Sequence, residues 1–502
     1  MTAVSVPCIS LTLLVWVLTT TMCRCCDSKA KTTRPQCPTF RKKDKHSEDL
    51  LLHPTSDDIS MESLHEMRRA SRTCLPCPGR SLEGYSGFIP VDNVEDGSFS
   101  SYLFFLHIKS EKNSDKKPLL LWLQGGPGKS ALHGQFLENG PLGMTFLGTL
   151  YKRRHTLLKQ FNIIYLDQPV GAGYSFDKRH KYPSSLQEVS IHLTTFMKRF
   201  LRLFHEYRGG EFFIAGESYG ARSAVGMANR LLTQTPQEFP LRFKGVMLGV
   251  PLIFPLLHIT NSADFLYCSG LLDEDGRELF SGRFSMIQKL VSSKQYLNAA
   301  GLLSQTVFNL GFQGEQSLFS NLTGFFDHAS IVSARRRRED AAYNVYANRW
   351  DFKQRIHVNN SRILDGMRQE LAKQLALNDL FVDQRDMFAG VLNRTSVLIY
   401  TGQLDALFPA VKMYESFKML RWRGSELFKK ARRTPWYRNN KPSLGLLGYL
   451  KKVDSLMYAT VLFGGHHISQ DCTPAVNELY ERFLKFVKSR DEPRPTSQQK
   501  VW

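Results

Sequence analysis

Glu211-Phe212-Phe213-Ile214-Ala215-Gly216-Glu217-Ser218-Tyr219-Gly220 passes from an apolar run into a Gly-x-Ser-x-Gly pentapeptide, and Ala221 to Leu232 follows with apolar residues at helical spacing. The first part has the composition of a buried strand and the last that of a helix. Between them the chain must turn sharply, and Gly216 and Gly220 remove the side chains that would collide where strand and helix approach so closely. A serine at the tip of such a turn presents its hydroxyl as a nucleophile awaiting a base.

The same rhythm extends outward. Apolar strand signals occur at Gly84 to Ile89, Tyr102 to Ile108, Leu119 to Leu123, Asn162 to Asp167 and Phe243 to Gly249, with helical stretches such as Leu186 to Glu206 between them. Alternating strands and helices predict a mainly parallel central sheet with helices on both faces. The alternation lapses over 251–390, where Phe284 to Ala300 and Ile363 to Leu377 read as interrupted helices, so this stretch is expected to be an inserted helical cap. Strands return at Val397 to Tyr400 and Leu456 to Phe463, and a terminal helix follows from about Ala475 to Lys488. The expected organisation is a signal peptide at 1–26, a polar leader at 27–80, a core in two parts at 81–250 and 391–490 around the cap, and a polar tail at 491–502.

Ile9 to Met22 is apolar but short for a bilayer span, which suits the core of a signal peptide. The sequons beginning at Asn321, Asn359 and Asn393 are candidate glycosylation sites and agree with passage through the secretory pathway, to the outside or to a lysosomal or vacuolar compartment. Beyond the signal lie Cys37, Cys74, Cys77, Cys268 and Cys472, an odd number, so at least one is free or pairs between chains. Cys74-Leu75-Pro76-Cys77 has no second pair to complete a zinc site and is read as a local disulfide or as two unconnected cysteines. The net charge of +20 lies largely in Lys152 to Arg154, Arg335 to Arg338 and the stretch from Lys418 to Lys452. No nucleic-acid recognition motif accompanies these clusters, which are read as solvated surface. Weak association with anionic surfaces and a homodimer both stay open. Arg335 to Arg338 is either an exposed basic loop or a processing site. Gly128-Lys129-Ser130 is not a phosphate loop, since Pro127 removes an amide donor and Leu123 stands where the motif needs its first glycine. No metal or cofactor is called for.

A nucleophilic serine needs a base, and the base needs a group to fix its tautomer. Asp405 follows the strand signal at Val397 to Tyr400, and His466-His467 follows the one ending at Phe463. Strand ends of an open α/β sheet share one crevice, so Ser218, Asp405 and a histidine can converge there, in the chain order of α/β-hydrolases. Leu121-Trp122-Leu123-Gln124-Gly125-Gly126-Pro127-Gly128, Glu138-Asn139-Gly140-Pro141, Leu166 to Ser175, Gly216 to Tyr219, Gly402 to Asp405 and Gly465 to Ile468 resemble, in order, the blocks of the serine carboxypeptidases. Gln124, Phe265-Leu266-Tyr267 and Ile356-His357-Val358 resemble the vitellogenic-like carboxypeptidases in particular.

The resemblance implies an α/β-hydrolase fold and removal of C-terminal residues from peptides or proteins through an acyl-enzyme. Ser218 would be the nucleophile, His467 the base and Asp405 its orienter. The Gly126 and Tyr219 amides would form the oxyanion hole, and Gln124, Gly125, Glu217 and Glu138 would hold the substrate's free carboxylate. An ionised Glu217 would repel that carboxylate, so the pair of glutamates must share a proton, and an acidic optimum is expected. His466 stands where the family has glycine, which leaves two candidate bases; His467 is preferred because Pro474 then falls at the family's distance. Lys129-Ser130, the run Gly220 to Val225, Gly249-Val250-Pro251, Gln470 and Cys472 also depart from the family pattern. These changes keep two alternatives alive: a catalytically impaired binding or chaperone-like protein, and an acyltransferase or esterase using the same triad.

Overall fold

The computed structural model describes residues 48–56, 58–76, 82–93, 98–307, 316–364 and 368–492. The signal-like run, Cys37, Cys77 and the tail after Glu492 lie outside the described residues.

Twelve strands form one sheet. They are β1 (Arg72–Leu75), β2 (Leu82–Pro90), β3 (Ser101–Ile108), β4 (Leu119–Leu123), β5 (Asn162–Leu166), β6 (Phe176–Asp177), β7 (Glu211–Glu217), β8 (Arg242–Gly249), β9 (Ser396–Gly402), β10 (Thr434–Tyr437), β11 (Leu446–Val453) and β12 (Leu456–Val461). Their spatial order is β1-β2-β3-β5-β4-β7-β8-β9-β12-β11-β10, with β6 beside β3. From β5 through β4, β7, β8 and β9 to β12 every pairing is parallel, and antiparallel strands extend both edges. The parallel centre explains the unbroken apolar runs: every residue of β4, β5 and β9 is buried, because helices cover both faces.

Alternation along β7 assigns those faces. Phe213 packs its ring against Phe483, at 6.4 Å between centroids, on the C-terminal helix Thr473–Asp491. Gly216, three residues on and on the opposite face, lies under the helix that follows Ser218 (Tyr219–Leu231), where a Cβ would come within 2.3 Å of the Gly220 carbonyl. A Cβ at Gly220 would in turn sit 2.1 Å from the Leu123 carbonyl. The two glycines therefore allow this helix to lie directly on β4 and β7. The helix Leu186–Leu203 packs beside it, started by Ser185, whose hydroxyl accepts the Glu188 N–H at 3.3 Å.

Helices between Leu256 and Leu392 make the insertion that separates β8 from β9. The helix expected over 284–300 is two, Glu274–Ser292 and Tyr296–Thr306, divided where Lys294 takes a positive φ of 59°.

The described part of the polar leader, within 48–76, packs onto the core. Residues 61–70 form a helix and Arg72–Leu75 the outermost strand of one sheet edge. Leu52 is buried, with its N–H donating to Phe88 O at 2.8 Å. Two of the segment's charged residues form ion pairs with the body of the protein, Arg68 with Glu206 at 2.6 Å and Asp49 with Arg362 at 2.6 Å. The segment's composition marks it only as polar, because composition cannot reveal partners far away in sequence.

Candidate active site

Ser218 has φ 55° and ψ −119°, a conformation costly for any residue but glycine. Backbone bonds on both sides hold it there: Ser218 N–H donates to Gly249 O at 2.9 Å, and its carbonyl accepts from Ala221 and Leu252 at 3.1 and 3.2 Å. The result is the sharp elbow read from the sequence, opening on a cleft that Ser218 lines with Gln124, Gly125, Gly126 and Glu217.

Asp405 leaves the end of β9 fully buried. Its Oδ1 accepts the Leu407 and Phe408 amides at 2.8 and 2.9 Å, leaving Oδ2 for one further donor. That donor is His466 Nδ1, at 3.0 Å. The His466 ring is also braced edge-on by Phe408, with centroids 4.9 Å apart. Since the carboxylate fixes the proton on Nδ1, Nε2 is the nitrogen left for Ser218.

The pairing of Asp405 with His467 is therefore corrected. The Gly465 N–H donates to Asp471 at 2.8 Å and the His466 N–H to Ala329 O at 2.7 Å, a pinned turn that delivers the earlier imidazole to Asp405. His467 lies on the other side of the turn, its ring 5.6 Å from that of His133. Burial, with Lys129 and His133 adding to it, holds His467 well below the usual imidazole range. Distance to Pro474 could not distinguish two adjacent histidines whose side chains diverge.

Gly126 N–H donates to no group among the described residues. Tyr219 N–H begins a helix, where an α-helix leaves its amides without internal partners. Gly126 has φ 125°, and a Cβ there would meet the Gly128 amide at 2.7 Å. The loop that carries it is anchored by Asp167, which accepts from Ser130 Oγ and Ala131 N–H at 2.7 Å each and from Tyr174 N–H at 2.8 Å.

Beside Ser218 lies a buried acid cluster. Glu217 Oε1 accepts from Tyr400 Oη at 3.0 Å and from Ser469 Oγ. Glu138 Oε1 accepts from Gln124 Nε2 at 3.1 Å and His133 Nδ1 at 3.0 Å. Trp122 Nε1 holds the other end of the Gln124 amide at 2.9 Å. The second oxygens, Glu138 Oε2 and Glu217 Oε2, are both buried without a partner. Burial first, and the charge of Glu138 second, push Glu217 up to about 8 against the Ser469 and Tyr400 bonds. Two oxygens left without donors in one acid cluster are where a single proton can be shared. Glu138 ends a π-turn, Gly134–Glu138, closed by Asn139 N–H donating five residues back to Gly134 O at 2.9 Å.

The structure thus brings Gln124, Gly125, Gly126, Glu138, Glu217, Ser218, Tyr219 and Asp405 together, and replaces His467 by His466 beside Asp405. It also adds residues that the sequence reading passed over. His133 bridges Glu138 and, through Nε2, Asp340 of the insertion at 3.1 Å. Burial opposes its charge, but the two carboxylates override this and raise it to about 9. Arg222, noted only as a departure, reaches Asp379 through Nε at 2.9 Å and Nη2 at 3.0 Å, and Tyr219 Oη joins the same carboxylate at 2.9 Å. Asp340 and Asp379 come from the insertion, 207 and 157 residues from their partners, so no local pattern announces them. Of the sequons, Asn321 and Asn393 are exposed and Asn359 is half-buried.

Comparison with known proteins agrees with this geometry. At 30% identity over 411 residues, 82% of this chain and 84% of the relative, the sequence is similar to the probable serine carboxypeptidase CPVL of Mus musculus. It is 30% identical over 408 residues to the venom serine carboxypeptidase of Apis mellifera, covering 80% of this chain and 84% of that one. The vitellogenic carboxypeptidase of Aedes aegypti is 27% identical over 435 residues, 86% and 88% of the two chains. The crystal structure of Kex1, a prohormone-processing carboxypeptidase from Saccharomyces cerevisiae, shares the fold with a TM-score of 0.69 at 18% identity, covering 83% of this chain and 95% of its own. The serine carboxypeptidase family pattern itself matches residues 77–486, a span that holds the elbow, the Asp405–His466 pair and the acid cluster. The chain belongs to the serine carboxypeptidase family.

Proposed function

We propose that this chain removes residues one at a time from the C-termini of peptides or proteins, with Ser218, His466 and Asp405 as its triad. Ser218 Oγ attacks the last peptide carbonyl as His466 Nε2 takes the hydroxyl proton. The oxyanion is received by the Gly126 and Tyr219 amides, in an enclosed site where each such donor contributes about 3 kcal/mol to the transition state. His466 returns the proton to the leaving amine as the C–N bond breaks. Water then attacks the acyl-enzyme by the same route in reverse. Asp405 stabilises the imidazolium at both stages.

The observation that carries the exopeptidase reading is the acid cluster beside the elbow. A buried carboxyl pair sharing a proton offers the substrate's free carboxylate a donor rather than a repelling charge, with the Gln124 amide and the Gly125 N–H beside it. An endopeptidase or esterase has no use for this arrangement. The signal-like run and the three sequons support residence in the secretory pathway, outside the cell or in a lysosomal or vacuolar compartment.

Peptides matched in sequence but ending in a free carboxylate or an amide test this reading, with products followed by mass. Stepwise loss from the free end alone, abolished by Ser218→Ala, is the expected result. Internal cleavage, or equal attack on amidated ends, would overturn it.

A further inference from the structure

The cleft above Ser218 encloses about 820 Å³ including its open mouth, and its walls differ in character. Leu252, Leu256, Leu380, Leu407 and Phe408 give the cleft an apolar lining. Facing the same space are Lys129, on the turn just after the oxyanion glycine, and Arg336, contributed by the insertion. Neither cation forms a hydrogen bond or ion pair through its side chain among the described residues, although their neighbours do find partners. Arg337 binds Asp471 at 2.7 Å, and Arg335 lies over the Phe326 ring at 5.9 Å. Asp327 also lines the cleft; its Oδ1 accepts the Ala329 N–H at 3.2 Å, and burial raises its carboxyl above the ordinary value against the pull of Arg336 and Lys129. Burial and the neighbouring Arg336 hold the Lys129 ammonium below its usual range against the pull of Asp340, Glu138 and Asp327, so an added anionic group in the cleft would favour both cations.

The position of Lys129 indicates which part of a substrate that ligand is. Its N–H donates to Gly125 O at 3.2 Å, so it belongs to the turn that carries Gln124 and Gly125, where the terminal carboxylate is proposed to sit. The adjoining side chain is that of the residue about to be released. We propose that Lys129 and Arg336 select peptides whose C-terminal residue is acidic, with the aspartate or glutamate side-chain carboxylate held between them. This rests on the carboxypeptidase reading above and names its substrate class. The Arg336 fork can take a carboxylate in two parallel bonds while Lys129 supplies a point charge beside it.

Binding to the Ser218→Ala protein tests the selection without requiring turnover. Calorimetry would compare otherwise identical peptides ending in Glu or Gln, and a third with Glu only at the penultimate position. The expected result is at least tenfold tighter binding of the Glu-ended peptide at low salt, shrinking as ionic strength rises. The pair Lys129→Met and Arg336→Gln should bring the Glu/Gln ratio toward one, and Lys129→Glu should shift preference toward Lys-ended peptides. A wild-type ratio of one or less, or a preference confined to the penultimate residue, would overturn the proposal. Failure of the carboxypeptidase reading is seen separately, as absence of end-specific release by the unsubstituted protein.

Discussion

His466 hands Nδ1–H to a buried carboxylate that already accepts two amides, while burial, with Lys129 and His133 adding to it, holds His467 well below the usual imidazole range. A general base must become imidazolium during the reaction, and only the first of these environments stabilises that cation. His466→Ala is therefore expected to lower kcat by about 10⁴-fold or more, as loss of a triad member does. His467→Asn should act mainly through KM, with a far smaller loss, because its ring lines the cleft without meeting Asp405. Steady-state kinetics on one peptide with both variants decides between them; a collapse of kcat on changing residue 467 instead would mean that the pairing seen here is not the catalytic one.

The helix that begins at Tyr219 does more than follow the Ser218 turn, since through Arg222 and Tyr219 it clamps Asp379 of the insertion. Arg222 and Asp379 are 1% and 2% exposed, and the guanidinium also donates to the Asp379 and Val382 carbonyls at 2.6 and 2.9 Å. Removing one partner from such a pair strands a buried charge, so Asp379→Ala should cost about 3–5 kcal/mol in denaturant unfolding. Replacing both, Arg222→Met with Asp379→Leu, should recover most of that loss; a double variant as unstable as the single would show that backbone contacts, not the stranded charge, dominate. This element also shows where sequence becomes hard to read. Strand, elbow and helix follow from local pattern, because buried parallel strands are continuously apolar and the close crossing demands glycine at 216 and 220. Arg222 looked like a departure from its family because its partner lies in an insertion with no fixed spacing to the elbow. The same holds for His133 with Asp340, and for the leader's Arg68 with Glu206. Polar side chains whose partners are remote carry no periodic signal, whereas apolar faces do.

Across the whole molecule, the net charge of +20, counted with histidine neutral, includes Lys129 and Arg336 at the cleft above Ser218 and not only a solvated surface. A positive cleft attracts anionic peptides over distances of about the Debye length, ~10 Å at 0.1 M salt. It also bears on pH dependence, because the same region must keep one proton on its acid pair. Glu217 is raised from the ordinary carboxyl value of 4.5 to about 8, by burial and then by Glu138, with the His133 cation opposing the shift. A carboxyl whose folded value lies above its unfolded value holds its proton through the interval between them, and the stability it contributes is complete below 4.5 and lost as pH rises through about 8. The protonated form is the one that can receive a substrate carboxylate, so kcat/KM on free-ended peptides should fall about tenfold per unit above this value, chiefly through KM. The acidic optimum expected from the sequence thus acquires an upper limb near pH 8. Glu217→Gln, which donates at every pH, should flatten that limb while retaining measurable release; a limb unchanged in this variant would assign the titration to another group.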